Sequence, residues 1–473
     1  MYNKASIKAE EFINHKEILE SLDYGRENAS NMDLIERLLD KARREEGLDH
    51  REAAVLLFCK DPRVNEEIFK IAKAIKERIY GKRIVMFAPL YLSNYCVNGC
   101  VYCPYHMKNK TINRRKLSQE EIKNEVIALQ DMGHKRLALE MGEHPTINTM
   151  DYLLESIKTI YSIKHENGDI RRVNVNVAAT SVENYRLMKE AGIGTYVLFQ
   201  ETYHKENYEK MHPTGPKSNY GYHTEAMDRA MEAGIDDVGI GVLFGLNNYG
   251  YDLVGLLMHK EHLEERFGVG PHTISVPRVR AADDIDPDDF QAGITDDIFI
   301  KIVSIIRIAV PYTGMIISTR ETKDTREKAL EVGVSQLSGG SKTSVGGYSE
   351  EEQVGSENSE QFDLEDTRSL DEIVNWLIDL GYIPSFCTAC YREGRTGDRF
   401  MPLAKSGQIG NVCQPNALMT LKEFLMDYAS SDTKKKAEGL IERELEKIDR
   451  PEVRDLVEKR MAMIEEGKRD FRF

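Results

Sequence analysis

The chain has 473 residues, enough for a large core and for two or three domains or one extended α/β barrel. Its formal net charge of −15, from 64 basic and 79 acidic side chains, argues against a broad polyanion-binding surface and against nucleic acid as the main partner. No run of 18 apolar residues is long enough for a membrane span, and the opening "MYNKASIKAEEFINHKEILE" lacks the apolar core of a signal peptide, so a cytoplasmic location is expected.

Residues 1–82 read as a helical extension. "NMDLIERLLDKARREE" and "NEEIFKIAKAIKERIYG" both space apolar residues at helical period. From residue 83 the pattern alternates. The strand "RIVMFAPLYL" runs into a cysteine-rich loop, and a helix starts at Ser118 with a capping box to Glu121. Strands "RLALEM", "VNVNVAAT", "TYVLFQET", "DDVGIGVLFG", "TISVPRV", "GMIISTR" and "SQLSG" follow, each with a helical segment after it. The helix "VENYRLMKEAG" stops at Gly192, and "HTEAMDRAMEAG" reads as one continuous helix. Eight strand–helix units over 83–381 predict a (β/α)8 barrel; a doubly wound open sheet is the runner-up. Residues 341–367 are rich in Ser, Gly and Glu and read as a long mobile loop or a ligand-covering segment. Residues 382–473 carry further cysteines and then charged helices.

Seven cysteines in a long chain without a secretion signal point to metal or redox use rather than disulfides. Cys59, in "AAVLLFC", reads as a small buried apolar residue. "NYCVNGCVYCPYH" gives Cys96, Cys100 and Cys103 as C-x3-C-x2-C on the loop after strand one, where a barrel keeps its chemistry. A structural zinc site completed by His106 is one reading. Three thiolates on an iron–sulfur cube with one iron left open is the other. "CTACYREGRTG" and "GNVCQP" give a second trio, Cys387, Cys390 and Cys413, with Arg392, Arg395 and Arg399 close by to offset cluster charge. A zinc site with a distant fourth ligand and a C-x2-C redox dithiol are the alternatives there.

The first loop resembles the radical S-adenosylmethionine (SAM) superfamily. "LALEMGEHP" supports the likeness, since Met141-Gly142-Glu143 stands where that superfamily has a Gly-Gly-Glu-like stretch; Met141 departs from the pattern. The resemblance implies a [4Fe-4S] cluster whose open iron is chelated by SAM. One electron then releases a 5′-deoxyadenosyl radical. It also implies that Tyr102 packs near the adenine and that Glu143 accepts from the SAM ammonium. Gln200 and Glu201, at the end of strand four, are candidates for the ribose hydroxyls.

With the second trio included, the chain resembles the HydG family, the tyrosine lyases that mature [FeFe]-hydrogenase. The resemblance implies cleavage of L-tyrosine to p-cresol and dehydroglycine. It further implies formation of carbon monoxide and cyanide at an auxiliary C-terminal cluster with a labile extra iron, which leaves as a cysteine-bearing unit. The runner-up is the thiazole-pathway tyrosine lyase, which makes dehydroglycine only, or another radical SAM enzyme with an auxiliary cluster. His272, placed just before strand six and therefore on the barrel's opposite face, is the candidate ligand of the extra iron. Arg320, Arg278 and Arg280 are candidates for the tyrosine carboxylate, with Arg320 favoured. Tyr105 and His106 flank the first trio and are candidate substrate contacts. An electron donor such as a flavodoxin or ferredoxin and other hydrogenase maturation proteins are the expected partners.

Overall fold

The computed structural model describes residues 1–290, 292–349 and 359–473. Eight parallel strands follow one another: β1 (Arg83–Ser93), β2 (Arg136–Met141), β3 (Arg172–Asn176), β4 (Tyr196–Glu201), β5 (Val238–Val242), β6 (Thr273–Ser275), β7 (Gly314–Ile317) and β8 (Gln336–Ser338). Each pairs with the next, and β8 returns to β1 with Val85 opposite Gln336, so the sheet closes. Closure decides for the barrel over the open sheet. β5, "VGIGV", is buried on both faces and carries no polar residue, whereas β3, "RVNVN", alternates and turns Asn174 and Asn176 to the barrel interior.

Side-chain caps set the helix starts. Ser118 and Glu121 form the expected capping box on Gln119–Asp131, and Ser369 with Glu372 forms another on Leu370–Asp379. The expected single helix 223–234 is broken. Glu225 leaves helical geometry between Tyr220–Thr224 and Ala226–Glu232, and its carboxylate accepts the Ala9 amide at 2.9 Å. The helical extension is thereby tied to the barrel wall.

A ninth strand, β9 (Ile383–Ser385), lies where the barrel was expected to have ended. It pairs with Arg83–Val85, the N-terminal end of β1. Pro384 is tolerated because β9 is an edge strand. β9 carries the chain to the N-terminal face of the barrel, where the second cysteine motif begins.

Of the segment 341–367, residues 350–358 lie outside the described residues. The described flanks cross the barrel mouth. The Gln361 amide donates to the Thr343 carbonyl, the Thr343 hydroxyl donates to the Phe362 carbonyl at 3.0 Å, and Thr343 and Phe362 are buried. Among the described residues, no helix is long and apolar enough to cross a membrane.

Candidate active site and a second cysteine site

A cavity of about 260 Å³ opens at the C-terminal ends of the strands. Its wall follows strand periodicity: Phe87, Pro89 and Tyr91 of β1 and Ala138 and Glu140 of β2 face inward at every second position. Cys96, Cys100, Cys103, Tyr102 and Tyr105 close one side, and Arg320 and Phe362 the other. It descends to Asn174, Ser275 and Gln336, close to the opposite face.

The cysteine loop is held by backbone contacts. Arg114 donates to the carbonyls of Asn94 (Nη1, 2.6 Å), Tyr105 (2.8 Å) and His106 (2.7 Å). The Val97 amide donates to the Glu143 carbonyl at 2.8 Å. Gly142 is obligatory here: a Cβ would stand 2.4 Å from the Tyr95 carbonyl oxygen. Asn98 spans the site, donating to Glu143 Oε2 at 2.7 Å and approaching Cys96 Sγ at 3.7 Å.

The donor set suits a thiolate-bound cluster. All three cysteines are free. Burial pushes the Cys103 thiol up to about 12 and moves Cys100 in the same direction, so bare thiolates are disfavoured without a metal's positive charge. Arg114 and Lys217 bring positive charge to the loop. Burial alone would depress the Lys217 ammonium, but Glu201, 2.7 Å away, holds it above its ordinary value.

Among the described residues, no three His, Cys, Asp or Glu side chains converge closely enough to hold a single metal ion, so neither trio stands ready-made as a one-ion site. His106, proposed as a zinc ligand or substrate contact, lies outside the cavity lining and meets Asp284 at 3.2 Å.

Met141, Gly142, Glu143 and Glu201 line the cavity, but Gln200 does not. A bulge between Phe199 and Glu201, with Glu201 at φ 68°, turns Gln200 outward, where its amide donates to Thr224 Oγ1 at 2.9 Å. Tyr102 lies on the wall, its hydroxyl 2.8 Å from His212 Nε2.

The arginines separate. Arg278 is paired to Asp296 at 2.8 Å and to Glu321, which also takes Arg280 at 2.5 Å. Neither lines the cavity, because buried Glu321 holds both behind the wall. Arg320 does line it. Its guanidinium lies 3.6 Å from the Phe362 ring centroid and has no carboxylate partner among the described residues.

Glu140 was not anticipated. It faces the cavity beside its strand neighbour Asn176, and burial raises its carboxyl to about 8. An acidic residue at an inward position of a barrel strand was the available signal.

The second trio gathers at the N-terminal face. Cys387 follows β9, and its carbonyl accepts from Arg136 Nη2 at 2.9 Å. Cys390 lies in the short helix Ala389–Arg392, and Cys413 in the first turns of Gly410–Asp427. The Cys390 and Cys413 thiols act on each other, which holds Cys390 up and draws Cys413 down. The Arg395 guanidinium bonds the Phe473 carbonyl, and its positive charge opposes the rise of the Cys390 and Cys387 thiols. Arg392 is drawn off to Asp470 and Arg399 is exposed, whereas the charge of Arg395 acts on all three thiols. His272 sits on the same face, its Nε2 3.4 Å from the hydroxyl of Tyr391, the residue after Cys390.

Residues 90–256 match the radical SAM superfamily, and residues 275–383 match the Biotin and Thiamin Synthesis associated domain. A 2-iminoacetate synthase of Salmonella typhimurium is 30% identical over 322 residues, 67% of this chain and 81% of that protein. The crystal structure of HydG, a maturase of the [FeFe]-hydrogenase, is 55% identical, covering 98% of this chain and 100% of its own, with a TM-score of 0.94. The structure of the FeFe-hydrogenase maturase HydG from Carboxydothermus hydrogenoformans is 39% identical over 96% of this chain and 99% of its own, with a TM-score of 0.82. With such likeness over nearly the whole of both chains, the protein belongs to the HydG family of [FeFe]-hydrogenase maturases within the radical SAM superfamily.

Proposed function

We propose that this chain cleaves L-tyrosine to p-cresol and dehydroglycine and then converts dehydroglycine to carbon monoxide and cyanide for assembly of the [FeFe]-hydrogenase cluster. The radical SAM superfamily carries a [4Fe-4S] cluster and SAM, which together supply a 5′-deoxyadenosyl radical able to take hydrogen from the tyrosine amino group. Cys96, Cys100 and Cys103 would hold that cluster, leaving one iron for SAM. Glu143, lining the cavity beside Asn98, would accept from the SAM ammonium, and Glu201 with Lys217 would face its ribose.

Arg320 would clamp the tyrosine carboxylate, being the cavity arginine that Glu321 does not engage. Tyr91 and Tyr105, 6.4 Å apart edge to face, would border the substrate. Scission of the Cα–Cβ bond leaves a hydroxybenzyl radical, which one electron and one proton convert to p-cresol. The remainder balances: dehydroglycine yields carbon monoxide, hydrogen cyanide and water.

The observation that carries the second half is the trio Cys387, Cys390 and Cys413 on the face opposite the SAM loop, beside His272. These cysteines would hold an auxiliary cluster. The extra iron is cargo: it would be bound by His272 and would leave with carbon monoxide, cyanide and cysteine. A flavodoxin or ferredoxin would supply electrons, and other maturation proteins would receive the product. The narrower reading, a lyase that stops at dehydroglycine, draws on the likeness to 2-iminoacetate synthase.

The test is anaerobic reconstitution with SAM, tyrosine and a reductant. p-Cresol, cyanide and carbon monoxide together support the full reading. p-Cresol without carbon monoxide supports the narrower one, and two zinc ions with no sulfide would end both.

A further inference from the structure

Asp237 and His272 sit at the starts of adjacent strands. Asp237 precedes β5 and His272 precedes β6, and the His272 amide donates to the Val238 carbonyl at 2.9 Å. The Asp237 carbonyl accepts the Tyr196 amide, so the barrel ladder fixes both backbones. His272 Nδ1 faces Asp237 Oδ1 at 3.4 Å. Nδ1 and Asp237 Oδ2 are both buried and without a hydrogen-bond partner among the described residues. Asp237 is only 2% exposed.

The other ring nitrogen points elsewhere. His272 Nε2 faces the Tyr391 hydroxyl, and the ring packs on Phe400 with centroids 4.7 Å apart. Tyr391 is itself pinned: Thr195 Oγ1 lies 2.9 Å from its hydroxyl, and the Arg172 guanidinium is 3.9 Å from its ring centroid. Asp237 also grips the second cysteine segment, because its Oδ1 accepts the Gly397 amide at 3.1 Å. Gly397 has φ +50°, and a Cβ there would stand 2.6 Å from Asp236 Cβ, so the segment "GRTG" is fitted closely to this acidic pair.

A histidine can bind a metal through one nitrogen only if the other carries the proton, and a carboxylate beside that proton fixes which nitrogen is which. We propose that Asp237 is the positioning residue of the second site: it holds the proton on His272 Nδ1 and presents the lone pair of Nε2 toward the Cys387–Cys390–Cys413 site, where ferrous iron binds. The proposal rests on the reading of His272 as the ligand of the extra iron. The carboxylate touches neither iron nor substrate. It couples the histidine to the cysteine segment through Gly397, so that ring and cluster keep one relative geometry.

The experiment uses the full chain, anaerobically reconstituted, titrated with ferrous iron alone. Loosely held iron is counted against acid-labile sulfide. In Asp237→Asn, ferrous iron is expected to bind about 10- to 100-fold more weakly while sulfide stays at the wild-type level. Wild-type iron affinity in this variant would overturn the proposal. Joint loss of sulfide and iron would also overturn it, since Asp237 would then merely build the loop. Asp237→Glu keeps the charge and is expected to bind more tightly than Asp237→Asn; if it binds no better, the proposal fails. Pulsed EPR with histidine labelled at one ring nitrogen is expected to show iron on Nε2, and coordination through Nδ1 would refute the assignment. His272→Ala separates the two layers: iron retained at wild-type affinity there would refute the histidine reading itself, whatever Asp237 does.

Discussion

The Arg320 guanidinium lies 3.6 Å from the centroid of the Phe362 ring. The pair joins the end of β7 to the described flank of the segment that crosses the mouth, and the ring covers one face of the cation while leaving its edge donors to the cavity. Arg320→Ala is therefore expected to lower kcat/KM for tyrosine about 10- to 100-fold, the worth of a charge-assisted hydrogen bond. Arg320→Lys should recover only part, because an ammonium lacks the planar fork. p-Cresol release against tyrosine concentration reads both, and an unchanged KM in Arg320→Ala would place the carboxylate elsewhere.

Gly142 fixes how closely the end of β2 approaches the cysteine loop. The Cβ of Gly142→Ala would stand 2.4 Å from the Tyr95 carbonyl oxygen and 3.2 Å from Cys96 Cβ. The strand end must then retreat and carry Glu143 with it. The expected result is SAM affinity weakened at least tenfold together with a lowered melting temperature from the backbone clash, read by equilibrium binding of SAM and by thermal melting.

How far the residues announced this depends on the kind of signal. The barrel was legible because eight apolar strands alternate with capped helices, and the two trios because cysteine spacing is rare by chance. Glu201, Arg320 and Tyr105 are singled out by their place at strand ends and beside the loop, and Glu143 by the resemblance of "MGE" to the superfamily pattern; all four line the cavity. Gln200 was misplaced because one bulge reverses which side chain faces in, and spacing carries no sign of a bulge. Arg278 was misplaced because its partner Glu321 lies 43 positions away, a pairing that only the fold creates. Asp237 and Lys217 were missed for the same reason: their partners come from other strands and loops.

Glu140 makes stability depend on pH with a definite sign. Burial raises its carboxyl from 4.5 to about 8. Between those values the unfolded chain has released the proton and the folded chain still holds it, so stability falls as pH rises. Below about 4.5 both states are protonated and the full stability is present. Glu140→Gln removes the titration. Its melting temperature relative to the native enzyme is expected to rise steadily from pH 5 to pH 8. A difference that stays constant across that window would show that Glu140 ionises normally in the folded protein.

The two cysteine sites divide the proposed reaction, and single-site lesions should reveal the division. Cys387 and Cys390 lie on the N-terminal face, whereas the cavity that would cleave tyrosine opens at the other end of the strands. The double variant Cys387→Ser with Cys390→Ser is therefore expected to keep releasing p-cresol while carbon monoxide falls below detection. Cys96→Ala is expected to stop both, because the radical source is lost. p-Cresol by chromatography and carbon monoxide by haem-protein trapping, measured on the same reaction, report the split. Carbon monoxide from the double variant at the native level would refute the assignment of the second site and leave that of the first intact.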